Sequence, residues 1–141
     1  MSDITPEIFG KYNYFIIGGN TVGADNWEDA NKGERWGPFY ATMKEKSISL
    51  KGKKIALYGL GDQVLYPEDF VSDMKLLYDY FSEFQAELIG SWSAEGYEHT
   101  DSDALEGDHF IGLALDEDNQ PELTNERIDL WLEQVCKEFY R

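Results

Sequence analysis

The sequence predicts an α/β fold, a parallel sheet with helices on both faces, and three observations carry that expectation. Short, almost continuous apolar runs at residues 12–18, 55–59, 86–92 and 110–115 have the composition of strands buried on both faces. Segments with apolar residues at helical spacing alternate with those runs along the chain. Strands alternating with helices imply right-handed crossovers, which build a parallel sheet.

The elements follow in order. Thr5-Pro6-Glu7 offers a cap, a proline at the first helical position and an acidic first turn, and Gly10 stops this short helix. Tyr12–Gly18 is the first strand. Residues 19–35 are rich in Gly, Asn and Asp, the composition of a long surface loop. Trp36, Phe39, Tyr40 and Met43 mark a helix over 36–46, and Ile55–Gly59 is the second strand. Pro67 is expected to open a long helix carrying Phe70, Met74, Leu77, Tyr78 and Phe81 on one stripe. Ala86–Trp92 starts a third strand, which a polar, acidic stretch over 93–108 interrupts and Phe110–Leu115 resumes. Thr124 is the expected cap of the last helix, with Ile128, Trp131, Leu132, Val135 and Phe139 facing inward.

A length of 141 residues bounds the chain to one domain, and a hydrophobic fraction of 42% is enough for a core. The formal charge of −16 repels nucleic acid and anionic membranes and attracts basic proteins, although acidity taken alone favours simple solubility over a docking role. One cysteine, Cys136, allows neither an internal disulfide nor a thiolate metal site, fits a reducing cytoplasmic setting, and is expected to be a small core residue. The first residues have no basic stretch followed by an apolar one, as a secretory signal would. The acidic positions, among them Asp101, Asp103, Glu106, Asp108, Asp116, Glu117 and Asp118, lack calcium-loop spacing and are expected to form a solvated face. His99 and His109 have neither a ligand cluster nor a nucleophile to activate.

Ligands of parallel sheets sit at the carboxyl ends of the strands, and two loops rich in special residues leave those ends. In Gly59-Leu60-Gly61-Asp62-Gln63 the glycines let the backbone approach a flat ligand, and main-chain N–H groups and Asp62 can meet a polar ring edge. Tyr66 lies where it can stack on an aromatic ligand. The loop Asn20-Thr21-Val22-Gly23 is similar, with Val22 as a small apolar wall and Trp27 and Trp36 bracketing the region. The alternative is a glycine-rich turn with a surface tyrosine, since the GxGxxG spacing of dinucleotide sites is absent.

Gly59-Leu60-Gly61-Asp62-Gln63-Val64-Leu65-Tyr66-Pro67-Glu68 resembles the second flavin-binding loop of the flavodoxins. Gly90–Glu98 resembles the start of the insertion that splits the last strand in long-chain members. Phe110–Gln120 continues that match, and Thr124–Ile128 resembles the opening of the family's final helix. The chain is thus similar to a long-chain flavodoxin of the nitrogen-fixation type over about residues 5–140.

The resemblance implies a flavodoxin-like three-layer sheet and non-covalent FMN at its carboxyl edge. Gly59, Leu60, Gly61, Asp62 and Gln63 would meet the polar edge of the flavin ring, Tyr66 would stack on one face, and Asn20, Thr21, Val22 and Gly23 would cover the other. It implies a low-potential electron carrier rather than an enzyme, with basic redox partners: a flavodoxin-reductase-like donor and an acceptor such as nitrogenase reductase. The chain departs from the family at its start. It is expected to lack the first strand, the phosphate loop, the first helix and the second strand, so the sheet would be reduced to its last three strands, in the order 3-4-5. Strand 12–18 would then be an edge and a route to a homodimer. Two functions stay open: an FMN electron carrier, or a flavin-free fragment or acidic interaction module.

Overall fold

The computed structural model describes residues 6–20 and 37–141. A 3₁₀ helix spans Pro6–Gly10, shorter and tighter than an α-helix, and strand β1 spans Tyr14–Asn20. Helix α1 (Gly37–Glu45) leads to β2 (Lys54–Leu60), and α2 (Asp73–Glu83) leads to β3 (Glu87–Ile89). Short strands β4 (Trp92–Ser93), β5 (Leu105–Glu106) and β6 (His109–Phe110) precede β7 (Leu113–Leu115) and the long helix α3 (Pro121–Phe139).

The main sheet is parallel, and β2 is its centre. Along one side β2 pairs with the whole of β1, from Tyr14↔Lys54 to Asn20↔Leu60. Along the other side its first half pairs with β3 and its second half with β7. The last strand is therefore one strand position split in two, as the sequence led one to expect. The segment between the halves folds as a small antiparallel sheet in the order β4-β6-β5. Gly90 makes the split: its φ of +85° turns the chain out of the sheet, and a Cβ there would sit 3.2 Å from the Trp131 ring. The expected continuous strand 86–92 is thus β3 alone, with Trp92 already in the second sheet.

Alternation along β2 builds the three layers. Ile55 and Leu57 point to a core shared with Phe9, Met43, Met74, Leu77 and Phe81, so the 3₁₀ helix, α1 and α2 cover that face. Ala56 points to the opposite core with Leu113, Leu115, Trp131, Val135 and Phe139, which α3 covers. Each fully buried side chain of this kind contributes about 1.5–3 kcal/mol.

Three local expectations need correction. Pro67 does not open a helix: residues 67–72 are turns, Val71 has φ +51°, and α2 starts at Asp73. Carbonyls that a helix would need are taken by the insertion, since Thr100 and Asp101 both donate their N–H to the Pro67 carbonyl and the Ser102 hydroxyl donates to that of Phe70. The last helix starts at Pro121, not beyond Thr124, with the proline in the first turn where its missing N–H costs nothing. On that helix Cys136 and Leu132 are exposed, because the buried stripe runs through Arg127, Trp131, Val135 and Phe139.

Candidate functional site

The carboxyl ends of the three parallel strands lie level. Asn20 is opposite Leu60, and Leu60 is opposite Leu115. After Leu60 and Leu115 the chain gives way to loops at this edge, which is where a parallel sheet binds ligands. Gly59 and Leu60 lie within β2 itself. Gly59 is a packing position, since a Cβ there would fall 2.9 Å from Met74 Cγ. Of the other loop, Thr21, Val22, Gly23, Trp27 and Trp36 lie outside the described residues, as does Thr5 at the start; for Asn20 only the main chain is described.

The loop over 61–66 is rigidly specified. Gly61 donates its N–H to the Leu115 carbonyl at 3.0 Å, and a side chain there would meet Phe70 and Val71 at 3.0–3.1 Å. Asp62 Oδ1 accepts the N–H groups of Val64 (3.0 Å) and Leu65 (2.8 Å), an Asx-type turn, while the Tyr66 N–H donates to the Asp62 carbonyl at 2.9 Å. Of the main-chain donors expected to face a ligand, those of Gly61 and Gln63 are thus bonded instead to the Leu115 carbonyl and the Asp116 carboxylate. The N–H of Asp62 is left without a partner among the described residues. The Asp62 carboxylate is a loop-former first, and it also accepts from Asn119 Nδ2 at 2.7 Å. Val64 and Leu65 are exposed, 63% and 67%, and Tyr66 is half-buried.

Gln63 turns inward and is 2% exposed. Its side-chain amide donates to Asp116 Oδ2 (2.8 Å) and to Gln120 Oε1 (2.9 Å), and its carbonyl oxygen accepts the N–H of Glu98 from the insertion. Its main-chain N–H also donates to Asp116 Oδ2, at 3.0 Å. Asp116 is fully buried, which corrects its expected place on the solvated acidic face. Its other oxygen accepts from the N–H groups of Asp118 (3.1 Å) and Asn119 (2.9 Å). Burial pushes the Asp116 carboxyl up, but the hydrogen bonds from Asn119 and Gln63 outweigh it and hold the group below the usual carboxylate value. Sequence reasoning missed Asp116, Asn119 and Gln120. The available signal was an Asp directly after a strand with Asn three residues on, the pattern of an Asx turn.

The insertion braces the same edge. Tyr97 accepts from Trp92 Nε1 (3.0 Å) and donates to the Ala114 carbonyl (2.6 Å), joining the small sheet to β7. His99 packs on Phe70 and Phe110, with ring centroids 5.8 and 5.1 Å away, and His109 meets Asp108 on the surface. Both are packing or surface groups. Among the described residues no cluster of His, Cys, Asp and Glu suits a metal ion, and no helix is long and apolar enough to cross a membrane.

The family model for flavodoxin matches residues 1–131. A flavodoxin of Klebsiella pneumoniae is 44% identical over 134 residues, covering 93% of this chain and 75% of its own. One from Trichodesmium erythraeum is 40% identical over 139 residues, covering 99% of this chain and 78% of its own. Among solved structures, Fusobacterium nucleatum flavodoxin bound to flavin mononucleotide superposes with a TM-score of 0.81 at 32% identity, over 98% of this chain and 78% of that one.

Proposed function

The chain belongs to the flavodoxin family, and from that premise we propose that it is an electron carrier using non-covalent FMN, not an enzyme. Bound FMN supplies the reversible uptake and release of electrons; the chain supplies the setting. The observation that supports this reading is the preset 61–66 loop standing at the level ends of three parallel strands. Its residues suit a flavin ring. Tyr66 offers an aromatic face, Leu65 and Val64 an apolar rim, and the Asp62 N–H a donor for a polar ring edge. Asn20, Thr21, Val22 and Gly23 are assigned to the opposite face of the ring, and Gly59, Leu60, Gly61 and Gln63 support the loop through the sheet and the buried polar cluster. An excess of carboxylates disfavours an added electron on a bound ring and so lowers its potential.

The charge of −16 suits basic redox partners, a reductase-like donor and a low-potential acceptor, in a cytoplasmic setting. A second copy is the partner assigned to β1, whose one strand partner among the described residues is β2.

Titration with riboflavin and FMN, followed by flavin fluorescence quenching, tests the reading. Both flavins are expected to bind, and the bound flavin to be reduced and reoxidised without loss. Among the described residues the 61–66 loop has one free main-chain donor, too few for a phosphate dianion, so with that loop as the binding surface FMN is expected to bind less than about tenfold tighter than riboflavin. Absence of quenching by either flavin would overturn the electron-carrier reading in favour of an acidic interaction module. A large preference for FMN would reveal phosphate donors elsewhere in the chain.

A further inference from the structure

Three segments distant in sequence converge on one buried carboxylate. Asp116, at the end of β7, accepts both the main-chain and side-chain N–H groups of Gln63, from the 61–66 loop. Gln63 in turn accepts the Glu98 N–H and bonds Gln120, whose side-chain amide donates to the Gly96 carbonyl at 3.0 Å. Asn119 bridges the cluster to the loop's surface side, with Nδ2 2.8 Å from Asp116 Oδ2 and 2.7 Å from Asp62 Oδ1. A buried anion with this many donors is fixed in place, and it fixes the donors in turn. No cation balances it: among the described residues Asp116 has no ion pair. Its charge is held wholly by N–H groups, and those of Gln63 belong to the loop that presents Asp62, Leu65 and Tyr66.

We propose that Asp116 is a positioning residue for flavin binding: acting through Gln63 and Asn119, it presets the 61–66 loop and couples that loop to the insertion. The inference rests on the flavin reading above. It assigns Asp116 no contact with the flavin. The insertion then serves the site too, since Glu98 reaches the loop through the same Gln63 side chain.

Asp116→Asn keeps the shape, removes the charge and turns a donor toward the Gln63 N–H groups. Glu117→Gln removes an exposed charge next to it as a control. In flavin-free protein, amide hydrogen exchange at Gln63 and Glu98 should rise about tenfold in Asp116→Asn, while the amides of β2 and α3 keep their protection. Riboflavin should bind about tenfold more weakly to Asp116→Asn and unchanged to Glu117→Gln. Lowering the pH should weaken riboflavin binding to the wild type as the Asp116 carboxylate is protonated, and should leave Asp116→Asn without that step. Unchanged exchange at Gln63 and Glu98, or protection lost evenly across the sheet, would overturn the proposal, as would equal riboflavin affinity in the two proteins. If the wild type binds no riboflavin, the flavin reading fails, and the exchange measurement still decides whether Asp116 sets the loop. Should Asp116→Asn not fold, Asn119→Ala cuts the same cluster from its exposed side, and unchanged exchange at Gln63 there would count against the proposal equally.

Discussion

The guanidinium of Arg127 lies 4.0 Å from the centroid of the Tyr97 ring, so the last helix grips the insertion through a cation facing an aromatic ring. Arg127 is 8% exposed, and its one hydrogen bond among the described residues is a long 3.4 Å contact from Nη2 to the Gly96 carbonyl, with Nη1 unpartnered there. The ring therefore carries much of the stabilisation of a nearly buried charge. Burial, partly offset by Arg127, pushes the Tyr97 hydroxyl up to about 12, so it stays protonated and keeps donating to Ala114. A double-mutant cycle of Arg127→Met and Tyr97→Leu, read by urea unfolding, should give a coupling of about 1–2 kcal/mol. A coupling near zero would mean that the two side chains are stacked by the fold without holding it.

Asp73 works against stability at neutral pH. It starts α2 beside Gly19 of β1, and one of its carboxylate oxygens is buried without a hydrogen-bond partner among the described residues. Burial pushes this carboxyl up to about 7. The folded chain then holds a proton that the unfolded chain has released, so stability should fall as pH rises from about 4 to about 7 and level off above. Asp73→Asn removes that slope. After discounting for its exposed part, the variant should be roughly 1–2 kcal/mol more stable than the wild type at pH 8 and nearly equal at pH 4. Urea midpoints at the two pH values test this, and a variant less stable at pH 8 would show that the carboxylate has a favourable role.

The alternation of elements was readable because apolar runs and helical stripes are local, and the structure keeps their order. The loop 61–66 was readable for the same reason, through its glycines, Asp62 and Tyr66. What sequence reasoning missed depends on contacts between distant residues. Pro67 looked like a helix start, yet Thr100, Asp101 and Ser102 occupy the carbonyls of Pro67 and Phe70, and no local pattern announces that. Asp116 looked like one more surface acid within a run of them; only the approach of Gln63, fifty-three positions earlier, makes it a buried anchor. Cys136 follows from helix phase, one residue off the stripe that Trp131, Val135 and Phe139 set.

Tyr66 tests the ring face directly. It is half-buried, and its N–H is fixed by the Asp62 carbonyl, so its main chain should survive truncation of the ring. If the ring stacks on a flavin, Tyr66→Ala should weaken riboflavin binding by about 1–2 kcal/mol, roughly 5–30-fold, from lost stacking and burial. Release should quicken and fluorescence quenching diminish together. Unchanged affinity and quenching would move Tyr66 out of the site while leaving the rest of the loop in it.

The edge of β1 makes the last prediction. Seven residues, Tyr14–Asn20, bond to β2 along one side, and among the described residues no strand bonds to the other. Phe15 and Ile17 turn into the core, whereas Tyr14 and Ile16 on the opposite face are 42% and 44% exposed, with Tyr12 58% exposed just before them. A long apolar edge with a bare apolar face recruits another strand, because main-chain bonds and side-chain burial are gained at once. Tyr14 already leans on Phe139 and Tyr140, with centroids 5.0 and 5.3 Å away, so the patch is continuous with the end of α3. Charge opposes association, since each copy carries −16, and this repulsion is screened as the Debye length falls from ~10 Å at 0.1 M salt to ~3 Å at 1 M. Dimerisation should therefore strengthen with salt, the opposite of docking to a basic partner. Sedimentation at low micromolar protein should find a dimer whose fraction rises with salt. Ile16→Lys, which places a charge on the bare face without touching the core face, should return it to a monomer. A wild type that stays monomeric at high salt would mean that this edge does not pair with a second copy.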